Sequence, residues 1–123
     1  MIEAALGSGV VEPEIAALLA DLKRRLERRF GDRFVALYLF GSRARGDHEP
    51  DSDVGVAVIL DQTLPRSFEV TREILEDTYD LLLESGFYIQ PWALKKGSLE
   101  DPSAHPHPRI SRAIQRDGIR IDD

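Results

Sequence analysis

Residues 41–60, GSRARGDHEPDSDVGVAVIL, bring together the residue types that could handle a nucleotide phosphate. Gly41 follows an apolar run directly, where a glycine lets the backbone turn sharply and approach a ligand. The residues after it are suited to one helical turn, whose first N–H groups and local dipole favour an anion. Ser42 adds a hydroxyl donor, and Arg43 and Arg45 add positive charge. Asp53 then opens a second apolar run, and strand alternation puts positions 53 and 55 on one face. Two carboxylates there would hold magnesium, which takes oxygen ligands and leans on substrate phosphates. A metal pair would align an attacking oxygen with a leaving pyrophosphate. Position 55, however, is Gly55. Asp47, Glu49 and Asp51, in the intervening loop, read as solvated charge or as acids that swing in to replace a missing ligand.

These residues must be positioned by the elements around them. From Pro13 to Phe30, apolar residues fall at Ile15, Leu18, Leu19, Leu22, Leu26 and Phe30, the spacing of an amphipathic helix, with Pro13 suited to its first turn. Phe34 to Phe40 and Asp53 to Leu60 are short apolar runs bounded by turn residues, hence buried strands. A helix over 66–85 carries Val70, Ile74, Leu75, Leu81 and Leu82 inward and stops at Gly86. FYIQPWAL, 87–94, is a third strand; Pro91 inside it marks an edge or a bulge. A short helix near 109–117, capped by Gly118, and a last strand at IRI close the chain. The order gives an α/β fold, a small mixed sheet covered by helices, in one domain over 1–123 with 1–11 as a flexible lead-in.

Composition narrows the function classes. At 123 residues the chain can bury a real core, roughly 65% of its unfolded surface. It has no cysteine, which removes disulfides, thiolate chemistry and cysteine zinc sites and suits a cytoplasmic protein. No apolar run approaches a membrane span, and the N-terminus lacks the basic region of a signal peptide. A net charge of -6 argues against nucleic acid as a direct partner. The basic run KRRLERR, Lys23 to Arg29, is the solvated face of a helix, with docking of an acidic partner or RNA as the sharper alternative. His105 and His107 have no accompanying ligands and read as a proline-rich loop ahead of a helix starting at Pro108. Tyr88 and Trp92 read as packing residues of the third strand.

The order Gly-Ser, polar loop, Ser-Asp, apolar strand in residues 41–60 resembles the signature of the nucleotidyltransferase superfamily that includes DNA polymerase beta, and more closely its minimal nucleotidyltransferase (MNT) branch. The resemblance implies that Gly41 and Ser42 cradle ATP phosphates, with Arg43 and Arg45 beside them, and that Asp53 is the catalytic carboxylate and first magnesium ligand. The second ligand of that pattern falls at Gly55, and the third on the next strand, where Gln90 is the nearest polar residue. Both positions are therefore degenerate, and adenylyl transfer from ATP is expected to be weakened or lost. A stand-alone chain of this size also resembles the antitoxin of HEPN–MNT modules, which implies a HEPN ribonuclease toxin as partner. An active adenylyl transferase and a pure interaction module are the competing expectations; oligomeric state is left open.

Overall fold

The chain is described from a computed structural model over residues 11–61, 67–98, 100 and 108–122. Helix α1, Pro13–Phe30, buries the expected stripe Ile15, Leu18, Leu19, Leu22, Leu26 and Phe30. A single 3-10 turn, Gly31–Arg33, leads into strand β1, Phe34–Phe40. A four-residue helix α2, Ser42–Arg45, follows, then strand β2, Val54–Leu60. Helix α3, Ser67–Ser85, crosses to strand β3, Ile89–Lys95. Helix α4, Pro108–Asp117, and the two-residue strand β4, Ile119–Arg120, complete the fold. Pro108 is the first residue of α4, as expected; His105 and His107 lie outside the described residues.

One mixed sheet has the order β3-β2-β1-β4. β1 is antiparallel to β2 and to β4, whereas β2 and β3 are parallel and joined by the α3 crossover. β3 is an edge strand, which is where Pro91 is tolerated. Alternation divides the sheet into two faces. Leu37, Leu39, Val54, Val56, Val58 and Leu60 pack with α1 and α3 in the larger core. Ala36, Phe40, Ala57, Ile59 and Leu94 pack with Ile114 of α4 in a smaller one.

Several details differ from the sequence reading. β2 begins at Val54, so Asp53 stands just before the strand, and Phe87 and Tyr88 precede β3. Leu75 is 42% exposed; Val70, Ile74 and Leu81 hold the inward stripe, and Asp77 and Thr78 are buried with them. Asp77 is acceptable there because Arg29 Nε and Nη2 donate to its two oxygens at 2.9 and 3.2 Å. Tyr88 is half exposed, while Trp92 packs against the smaller core. Val11, assigned to the flexible lead-in, is buried in the larger core.

Candidate nucleotide site

The turn after β1 is built on Gly41, with φ 86° and ψ -156°, a combination essentially confined to glycine. Its carbonyl accepts the N–H groups of Ala44 and Arg45, both at 3.0 Å, so the chain coils at once into α2. The opening N–H groups of such a turn have no intrahelical acceptor and face outward for a ligand. Among the described residues, the hydroxyl of Ser42 has no hydrogen-bond partner and is free to donate.

Register brings the second element alongside. Phe40 pairs with Gly55, and Gly55 pairs with Gln90. The Gly41–Ser42 turn and Asp53 therefore sit at the same end of two adjacent strands. Asp53 is exposed and, among the described residues, makes no side-chain hydrogen bond or ion pair. Gly55 and Gln90 share its face of the sheet by alternation, so the three positions form a row at the sheet end.

What lies over Gly55 was not legible in the sequence. A Cβ at 55 would stand 3.2 Å from the carbonyl oxygen of Phe40 and 3.7 Å from its ring atoms Cε1 and Cζ. A side chain at 55 would therefore crowd the Phe40 carbonyl and lie in ordinary contact with its ring, a cross-strand aromatic–glycine packing. The absence of the carboxylate and the packing of Phe40 are one local arrangement.

The two arginines have different employments from those expected. Arg43 is 4% exposed and fully engaged: Nε donates to Ser52 O at 3.0 Å, Nη2 to Pro50 O at 3.1 Å and Nη1 to Glu12 Oε1 at 3.0 Å. Its guanidinium also lies 5.3 Å from the centre of the Phe87 ring. Arg43 pins the 47–53 loop from within. His48 joins it, sharing Glu12 Oε1 at 2.8 Å. Arg45 is more accessible, but Nη1 donates to Asp117 Oδ2 at 2.8 Å and Nε to Asp47 Oδ2 at 3.2 Å. Of the loop acids, Asp47 is engaged in that pair, while Glu49 and Asp51 are exposed. Asp117 is 4% exposed at its side chain and held by Arg116 as well as Arg45. Those hydrogen bonds, Arg116 first, keep its carboxyl below the ordinary aspartate range.

For a metal, the donor set is thin. Among the described residues no three carboxylates, histidines or cysteines converge. Asp53 with nucleotide phosphates suits a single magnesium; the row Asp53, Gly55, Gln90 does not suit a pair of ions.

The sequence profile of the nucleotidyltransferase domain matches residues 19–117, from within α1 to the end of α4. The chain belongs to the nucleotidyltransferase domain family. A candidate protein adenylyltransferase of Methanocaldococcus jannaschii is 29% identical over 90 residues, which cover 72% of this chain and 60% of that relative. This nucleotidyltransferase domain therefore spans somewhat over half of that relative's length. Among solved structures, a mutant form of the toxin–antitoxin MntA–HepT superposes with a TM-score of 0.53 at 19% identity, over 83% of this chain and 71% of that one. That likeness supports the fold: a mixed four-stranded sheet with helices, the nucleotidyltransferase architecture. No described helix of the domain is long and apolar enough to cross a membrane.

Proposed function

We propose that the chain is an antitoxin-like nucleotidyltransferase-domain protein that binds Mg-ATP at the Gly41–Ser42 turn and Asp53, and in which adenylyl transfer is weakened or lost. The row of Asp53, Gly55 and Gln90 beside the Gly41 turn carries this reading, because only its first member has a carboxylate. Ser42 and the opening N–H groups of α2 would hold phosphate oxygens. Asp53 would hold one magnesium shared with those phosphates, which supplies charge neutralisation when bound. Arg45 would reach the nucleotide by giving up Asp47 while keeping Asp117; Arg43 would act through the loop that carries Asp53, as a positioning residue. Transfer of a nucleotidyl group depends mainly on positioning and charge stabilisation, so a missing carboxylate costs orders of magnitude in rate. A HEPN-type ribonuclease is the partner that the MNT resemblance and the MntA–HepT structure favour. ATP is the nucleotide favoured by the adenylyltransferase relative.

The test is transfer of label from α-phosphate-labelled ATP with magnesium to a purified HEPN ribonuclease, comparing the natural chain, Gly55→Asp and Gly55→Ala. Both variants must displace the Phe40 carbonyl by a few tenths of an ångström, so Ala controls for strain. The natural chain and the Ala variant should label barely at all, and the Asp variant at least tenfold more. A natural chain as fast as its Asp variant would overturn the impairment. Loss of that activity in Glu49→Gln or Asp51→Asn would then identify the loop acid completing the site.

A further inference from the structure

The outer side of α3 is unlike the rest of the surface. Phe68, Tyr79 and Leu83 are 64%, 59% and 67% exposed, and Leu75 and Tyr88 nearly half. At 100° per residue, Phe68, Leu75, Tyr79 and Leu83 form one stripe along the helix, interrupted only by Arg72. The stripe borders a cleft of about 130 Å³ lined by Leu75, Thr78, Tyr79, Leu82, Tyr88 and Ile89, the size of an apolar side chain. Single exposed apolar residues are ordinary, but a contiguous run beside a socket marks an interaction surface. Along one flank of the stripe runs an acidic row, Glu69, Glu73, Glu76, Asp80 and Glu84. Two members are neutralised by α1: Arg29 lies 3.6 Å from Glu76, and Arg25 lies 3.1 Å from Glu84. Among the described residues, Glu69 and Asp80 have no ion-pair partner.

We infer that this face of α3 docks an amphipathic helix whose apolar stripe is flanked by lysine or arginine. The apolar strip and the socket by Tyr88 would supply the buried contact, and the acidic row, whose Glu69 and Asp80 have no ion-pair partner among the described residues, would select the charge of the flank. A second copy of this chain using the same face antiparallel would set acidic row against acidic row, which opposes that occupant. The inference is independent of nucleotide chemistry at the sheet end.

Three fluorescein-labelled eighteen-residue peptides serve as probes, titrated by anisotropy against the full chain. One has a leucine stripe flanked by lysines, one the same stripe flanked by glutamates, and one the lysine composition scrambled to destroy the stripe. The lysine-flanked helix should bind at least tenfold more tightly than either other peptide. Tyr79→Ser combined with Leu83→Ser should reduce that binding at least tenfold without moving Tm, since both side chains are exposed. Glu73→Lys with Asp80→Lys should invert the preference between the two striped peptides. Equal binding of the three peptides, or binding indifferent to both double variants, would overturn the inference. A dimer in sedimentation that the serine variant dissolves would also overturn it, by giving the face to a second copy.

Discussion

Gly41 and Arg43 show how closely spaced residues divide into one that turns the backbone and one that holds the frame. Gly41 stands at φ 86° with nothing within 4 Å of an added Cβ, so Gly41→Ala is penalised by backbone strain and not by a clash. The expected loss is about 1–3 kcal/mol, measured by urea unfolding, together with weaker Mg-ATP binding in calorimetry. Arg43→Lys should cost a comparable about 2 kcal/mol, because an ammonium cannot reach Ser52 O, Pro50 O and Glu12 as a fork does. The same substitution should speed amide exchange at Ser52, whose N–H donates to Glu49 O inside the pinned loop. Unchanged stability in Arg43→Lys would return that residue to the phosphate role first read from its charge. Sequence alone offered no means of separating the two arginines: both follow the turn, and only burial distinguishes them. Gly55 was read in the sequence as the position of an absent carboxylate, but the ring of Phe40 beside it was not legible, since cross-strand register is not written in either residue.

Among the elements, α1 and β1 were legible to the residue because their apolar spacing has one solution. α3 was legible in extent but not in facing. Leu75 satisfies the helical period on the edge of the stripe, and the buried Asp77 interrupts it, paired with Arg29 across to α1. The short α4 and β4 are tied back to the candidate site through Asp117, which joins the end of α4 to Arg45 of α2. That tie has a pH signature. The folded chain holds the Asp117 carboxyl below its ordinary range, so the contribution is complete above the unfolded pKa and lost as pH falls through the lowered folded value. The Tm gap between the natural chain and Asp117→Asn should be steady between about pH 7 and 5 and narrow below about pH 4. A gap that widened in acid would show that Asp117 is not held as an ion.

For the whole molecule, the thin donor set of the candidate site predicts how ligands act on stability. Magnesium alone, with Asp53 the one carboxylate in the row at the sheet end, should leave Tm unchanged, and a chelator should do the same. Mg-ATP at tenfold excess over its Kd should add about 1.4 kcal/mol, a rise of a few degrees in scanning calorimetry. No rise at millimolar nucleotide would leave the fold as a scaffold for protein contacts alone. The sheet order has a further consequence, in time. Phe40 and Gly55 meet across a short loop, whereas Tyr38 and Arg120 are about two-thirds of the chain apart. Closing the short loop costs less entropy, so the β1–β2 hairpin that frames the Gly41–Ser42 turn is expected to form early and the β4 seam late. On a ribosome, the Gly41–Ser42 turn would take shape while the residues of β4 are still inside the exit tunnel.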